Sequence, residues 1–230
     1  MASIYDGESA KYRNFLNWLF LTFNEDESAF RKGLIADLRI QPGHKVLVTG
    51  CGHGDDIPPI FEAGARDVEC IDISENMIAV AKDRLSGKDV KLHVSDASKL
   101  HFGDSTFDSA FHFGGINVFS DVKNAIHEMA RVVKDGGRVV FGDEGVAPWL
   151  RDTDYGKMAI NNNPLWASRE PLECLPFSAT DVSLRWILGN CFYLISFTVN
   201  RAGPYMNPDI PHKSPRGGTM RTRYESPQRG

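Results

Sequence analysis

Gly50-Cys51-Gly52-His53-Gly54 is a glycine-rich run between a short apolar stretch, Lys45 to Thr49, and a helix-compatible stretch beginning near Asp55. Glycines in that setting let a backbone approach a ligand closely. The carboxyl end of the first strand of an open α/β sheet is also where such folds bind ligands. Two carboxylates occupy comparable places. Asp72 closes the second apolar run, 22 positions beyond Gly50, where an acid accepts hydrogen bonds from ribose hydroxyls. Asp96 closes the third run and can accept from an adenine amino group, with the backbone of Ala97 as the complementary donor. A dinucleotide would set its pyrophosphate at the following helix N-terminus, but Asp55 and Asp56 stand there and would repel it. The loop also lacks a Gly-Lys-Ser/Thr continuation. A nucleoside cofactor without phosphates fits better. S-adenosyl-L-methionine (SAM) is the common one, and its cationic sulfonium and amino group suit nearby carboxylates.

A methyl acceptor at oxygen or at an acidic carbon gains from a base with a pKa near neutrality. His112, at the end of the fourth apolar run, and Asp143, after the fifth, are the candidate catalytic residues, with Glu144 as a further carboxylate alternative. His53, in the loop, is placed nearer the cofactor than the acceptor. No metal site is expected.

These residues need elements to position them. Residues 9–38 have helical periodicity, with Phe15, Trp18 and Leu19 on one face, then Phe30, Leu34, Ile35 and Leu38. A break near Asn24 to Ser28 marks a second helix start, with Asn24 or Asp26 as its cap. Strands are expected at 45–49, 67–71, 90–94, 107–113 and 138–141. Helices are expected between them at 55–63, from the Ser74 cap to Leu85, and at 121–133, the last ended by Asp135-Gly136-Gly137. Strands alternating with helices at this spacing make a parallel sheet with right-handed crossovers. Residues 144–180 read as irregular, with a short helix near 152–160. Two alternating runs, 182–188 and 191–199, flank Gly189-Asn190 and predict a β-hairpin.

The chain has 230 residues and a formal net charge of -4. Residues 211–230 carry net +4, leaving -8 on the rest, which disfavours a nucleic-acid partner. The four cysteines form neither a zinc-ligand spacing nor a disulfide framework, so a reducing, cytoplasmic setting is expected. No signal peptide is expected, and the run Phe15 to Phe23 is too short to span a bilayer, so no stable membrane insertion is expected. Trp149, Trp166, Phe177 and Tyr205 are candidate lining residues for an apolar acceptor, and Trp18 and Trp186 are candidate core. The basic tail is a candidate clamp offering Arg221 or Arg223 to an acidic acceptor.

Val46-Leu-Val-Thr-Gly-Cys-Gly-His-Gly54, Cys70-Ile-Asp-Ile-Ser74, Val94-Ser-Asp-Ala97 and Arg131-Val-Val-Lys-Asp-Gly-Gly137 resemble the successive motifs of class I SAM-dependent methyltransferases. The run from Tyr12 onward is similar to the branch that includes the ubiquinone/menaquinone-biosynthesis methyltransferases. The resemblance covers about residues 5–145 and the hairpin, and does not reach 146–180 or the tail. It implies a single Rossmann-like α/β domain with a seven-stranded sheet of order 3-2-1-4-5-7-6, strand 7 antiparallel, and helices on both faces. A helical cap (1–43) and an acceptor-side half (146–230) would flank the SAM-binding core (44–145). It further implies SAM contacts from Tyr12, Gly50, Cys51, Gly52, Asp72, Ile73, Met77, Asp96, Ala97 and Phe113, with the backbone near His112 holding the methionine part. Tyr5 is a second aromatic placed to close over the cofactor. The expected activity is methyl transfer to oxygen or carbon of a small-molecule acceptor, quinone-like or a natural product, by a monomer or homodimer. A protein or N-acceptor methyltransferase and an inactive SAM-fold binding protein are the alternatives.

Overall fold

The computed structural model describes residues 9–211, 213 and 217–225. Seven strands form one sheet: β1 (Lys45–Thr49), β2 (Asp67–Asp72), β3 (Val90–Val94), β4 (Phe107–Phe113), β5 (Val133–Glu144), β6 (Ala179–Ile187) and β7 (Phe192–Val199). Their order is β3-β2-β1-β4-β5-β7-β6, as expected. β7 runs antiparallel to both neighbours, and the other strand pairs are parallel.

Alternation along the central strands sends side chains to two cores. Leu47 and Ile71 join Phe107, Ile126, Met129 and Phe141 on one face. Val46, Val48, Val68 and Cys70 join Leu34, Ile35, Ile57 and Ile60 on the other. The first face is covered by α5 (Val122–Val132), whose buried residues Ala125, Ile126, Met129 and Ala130 make the apolar stripe that helical spacing predicts. The second is covered by α2 (Glu27–Ala36), α3 (Ile57–Glu62) and α4 (Glu75–Arg84). Asp26 caps α2 by accepting from Ala29 N–H at 2.7 Å, and Ser74 caps α4 by accepting from Met77 N–H at 3.2 Å.

A third cluster joins the first helix to the C-terminal half. Leu16, Leu19 and Phe20 of α1 (Ser9–Phe23) pack with Val146, Trp166, Leu188 and Phe192. The helical cap is therefore a wall of the molecule, anchored on the hairpin.

Two local expectations, both of strand starts, are corrected. β5 begins at Val133, not Arg138: Asp135-Gly136-Gly137 lies within the extended segment, where the register against β4 slips between Phe107 and Ser109. An added Cβ at Gly137 would stand 2.5 Å from the carbonyl oxygen of Asp108, so this glycine permits close strand approach as well as a turn. β6 begins at Ala179 and carries its own irregularity, with Asp181 at φ 49°. The segment before it holds α6 (Asp154–Asn162) and three 3-10 turns. Among the described residues no helix is long and apolar enough to cross a membrane.

Candidate active site

A cavity of about 440 Å³ opens at the carboxyl ends of β1, β2, β4 and β5, beneath α1. One end is built from turns. Gly50, Gly52 and Gly54 all have positive φ, at 59°, 50° and 82°. At Gly50 an added Cβ would stand 2.9 Å from His112 Cε1, whereas at Gly52 it would meet nothing within 4 Å and would fill cavity space. That open cradle is what backbone contact with a ligand requires. Asp72 braces it: one carboxylate oxygen accepts from Gly52 N–H and the other from Ser74 N–H, each at 2.9 Å. Each oxygen keeps a second acceptor position for hydroxyl donors. Ile73, Met77, Asp96 and Ala97 line the same end, and Asp96 accepts from the Ser98 backbone and hydroxyl at 2.8 Å.

The other end is apolar. Phe15, Leu16, Leu19 and Phe20 of α1 face Leu188 and Phe192 across the cavity. Phe113 sits at the join, with ring centroids 5.6 Å from Phe30 and 6.0 Å from Phe192.

The floor between the two ends carries three titratable groups. His112 is fully buried, and its Nδ1 lies 2.7 Å from the carbonyl oxygen of Thr49. A carbonyl only accepts, so Nδ1 carries the hydrogen and Nε2 is left as a lone-pair acceptor. Nε2 has no partner among the described residues. Burial pushes the imidazole down to about 4, the Thr49 contact opposing. Asp143 is also buried and accepts three backbone hydrogen bonds, from Gly115, Asn117 and Glu144, at 3.0, 2.7 and 2.8 Å. It clamps the turn after β4. Glu144 is half-buried and lines the cavity; its Oε1 accepts from Asn163 Nδ2 at 3.2 Å. Burial and the neighbouring Asp143 raise its carboxyl to about 7.

Asp55 and Asp56 are committed elsewhere. Asp55 pairs with Arg13 at 2.6 Å and Arg84 at 2.7 Å, and Asp56 with Arg31 at 2.6 Å. These pairs tie α1, α2 and α4 to the turn after the glycine loop. Asp56, Asp55 and Glu27 together hold the buried Arg31 charged, against the desolvation that burial imposes.

A family profile described as "Methyltransferase domain" matches residues 47–141. The demethylmenaquinone methyltransferase of Corynebacterium glutamicum (strain ATCC 13032) is 34% identical over 175 residues, covering 71% of this chain and 73% of that relative. This chain belongs to the SAM-dependent methyltransferases. The demethylmenaquinone methyltransferase of Staphylococcus aureus (strain MRSA252) is also 34% identical, over 140 residues that span 60% of this methyltransferase but only 57% of that relative. The fold is shared with phosphoethanolamine N-methyltransferase 2 of Haemonchus contortus, solved with SAM, at TM-score 0.64 and 14% identity, covering 84% of this chain and 59% of that one.

The methyltransferase gathers Gly50, Cys51, Gly52, Asp72, Ile73, Met77, Asp96, Ala97, His112, Phe113 and Asp143 around one cavity. Tyr5 and the side chain of Tyr12 lie outside the described residues. Other expectations are corrected. Trp149, Trp166, Phe177 and Tyr205 do not line the cavity: Trp166 is core, and Phe177 and Tyr205 are exposed. Trp18, expected in the core, is 41% exposed. Arg221 is spent on Asp209 at 2.7 Å and Arg223 on the Gly217 carbonyl, and neither lines the cavity. Asp55 and Asp56 are neutralised by arginines, so they are not spare charges for a cationic cofactor. The apolar face of α1 and Asn163 went unrecognised as cavity lining. The helical repeat of Phe15, Leu16 and Leu19 was a visible signal for the first; nothing local signals the second.

Proposed function

We propose that this methyltransferase moves a methyl group from SAM to oxygen or carbon of a small, largely apolar, neutral acceptor. The observation that carries this reading is one cavity with both a polar, glycine-cradled end and an aromatic end. Its volume falls in the range of small-molecule sites. Bound SAM would supply an electrophilic methyl on a cationic sulfur. The backbone of Gly50 to Gly52 would hold its amino-acid portion, Asp72 its ribose hydroxyls, and Asp96 and Ala97 its adenine edge. Ile73 and Met77 would flank the base, with the Phe113 backbone completing the enclosure.

His112 fits a positioning role in this scheme better than the role of base. Protonating it at pH 7 against a pKa of about 4 costs about 4 kcal/mol. With Nδ1 held by Thr49, its Nε2 offers a fixed acceptor beneath the loop. Asp143 likewise holds the turn that carries Asn117.

The acceptor reading rests on chemistry of the walls. Among the described residues lining the cavity, Arg31 is the sole Lys or Arg, and it is paired with Asp56. An anionic acceptor would find no free cation there. The test is turnover with SAM and a prenylated 1,4-dihydroxynaphthalene, chosen for its kinship with the naphthoquinone named for the relatives. Methylated product is expected. No methylation of that probe or of other neutral hydroxyaromatics, with SAM bound, would overturn the acceptor class.

A further inference from the structure

We propose that Glu144 is the proton acceptor of the methyl-transfer step, taking the hydrogen of a neutral phenol or enol hydroxyl bound at the aromatic end of the cavity. This rests on the methyltransferase reading above and specifies its acceptor chemistry.

Placement comes first. Glu144 closes β5 and pairs in register with Phe192 of β7, so the carboxylate that ends this strand sits against the aromatic wall. Asn163 donates to Oε1 and fixes the group's orientation, and the carboxylate still lines the cavity. A hydroxyl bound among Phe113, Leu188 and Phe192 therefore has an oriented acceptor at hand.

Elimination comes second. Asp143 already receives three backbone N–H groups. Asp55 and Asp56 are held by arginines. Asp72 and Asp96 brace turns at the nucleoside end. His112 is fully buried with no carboxylate beside it to stabilise an imidazolium.

Charge comes third. The titratable groups that interact with Glu144 are Asp143 on its own strand and Tyr193 on β7, while His112 on β4 and Arg31 on α2 lie elsewhere on the same cavity lining. His112 stays neutral near pH 7, and burial raises the Tyr193 hydroxyl above its usual range. Arg31 is engaged by Asp56. Asp143 is thus the charge that acts on Glu144, and with burial it lifts the carboxyl to about 7. A base poised there is ionised enough to act and basic enough to keep the proton.

The step balances. The acceptor's O–H bond breaks and its hydrogen passes to Glu144 as a proton. The electron pair left on the acceptor, at oxygen or the carbon conjugated to it, forms the new bond to methyl. The former sulfur–methyl pair stays on sulfur. A carboxylate and a sulfonium become a carboxylic acid and a thioether, and Glu144 returns its proton to water when product leaves.

The test reads binding, separately from turnover. The full chain is titrated by calorimetry with S-adenosylhomocysteine, then with 1-naphthol, whose hydroxyl stays protonated from pH 6 to 8. Ionised Glu144 accepts a charge-assisted hydrogen bond from it, so affinity should be about tenfold tighter at pH 8 than at pH 6. Glu144→Gln should remove that dependence and leave S-adenosylhomocysteine affinity unchanged. Asn163→Ala, which deletes a hydrogen bond that favours the ionised form, should move the midpoint to higher pH, and it carries the test if the glutamine variant does not fold. Naphthol binding that is absent, flat with pH, or still pH-dependent in Glu144→Gln would overturn the role of Glu144 while leaving the cofactor reading intact. Absence of S-adenosylhomocysteine binding would instead overturn the cofactor reading.

Discussion

The two ends of the cavity are built on different principles. The glycine-cradled end is made of turns that immediately follow strands, and its carboxylates hold backbone: Asp72 braces Gly52 and Ser74, and Asp96 braces Ser98. Every part lies within a few residues of a strand terminus. The aromatic end is made of side chains from α1, β4, the hairpin and the turn after α6, drawn from residues as distant as Phe15 and Phe192. The first can change little without losing its geometry. The second can change its side chains and keep its frame.

The sharpest way to break this contrast is at Gly52. A valine there would fill the open cradle and force a β-branched residue to φ 50°. SAM affinity should fall by ~100-fold or more, since strain and lost contact each amount to about 1–3 kcal/mol. A calorimetric Kd within threefold of wild type would show that the cradle is not where the cofactor lies.

A pH scan of stability separates the two floor groups. Burial depresses His112, so the unfolded chain binds the extra proton and stability falls as pH drops from about 6.5 to about 4. Glu144 is raised, so the folded chain binds the extra proton and its contribution is lost as pH rises from 4.5 to about 7. Glu144→Gln should therefore raise stability at pH 8 by about 1–3 kcal/mol in urea unfolding and leave the acid limb in place. Equal or lower stability at pH 8 would contradict the buried, raised carboxylate.

At the aromatic end the expected effects are smaller. Leu165 lines the cavity but is 40% exposed, so Leu165→Ala removes wall without opening the core. It should raise acceptor KM by about threefold to tenfold, or about 1 kcal/mol, with SAM affinity unchanged. A matching loss of SAM affinity would mean that the two ends are not separable. Smallest of all is Arg221→Ala: with that guanidinium on Asp209 and outside the lining, acceptor kinetics should be unchanged.

The same contrast explains what the sequence revealed. The strands, the glycine loop, Asp72 and Asp96 were legible because apolar runs and the residues that end them are neighbours in sequence, whereas the strand order came with the family resemblance. The aromatic wall was not. Trp149, Phe177 and Tyr205 have the right residue type, yet they sit elsewhere, and the wall comes from the inner face of α1. Of the two adjacent carboxylates, Asp143 was the one the sequence favoured, with Glu144 the alternative. Both line the cavity, and what separates them, the three backbone donors on Asp143 against the single Asn163 amide on Glu144, comes from contacts distant in sequence. His112 was well placed by sequence, but its burial and its bond to Thr49, which decide its protonation, arise from contact 63 residues apart.

The central claim, that the glycine-cradled end holds SAM with Asp72 on its ribose, is tested most directly by calorimetric titration of SAM into the wild type and Asp72→Ala. Micromolar binding by the wild type and a loss of ~30-fold or more in the variant are expected, since two lost charge-assisted hydrogen bonds cost about 2–4 kcal/mol. No binding by the wild type at ~1 mM SAM, or equal affinity in both, would contradict it.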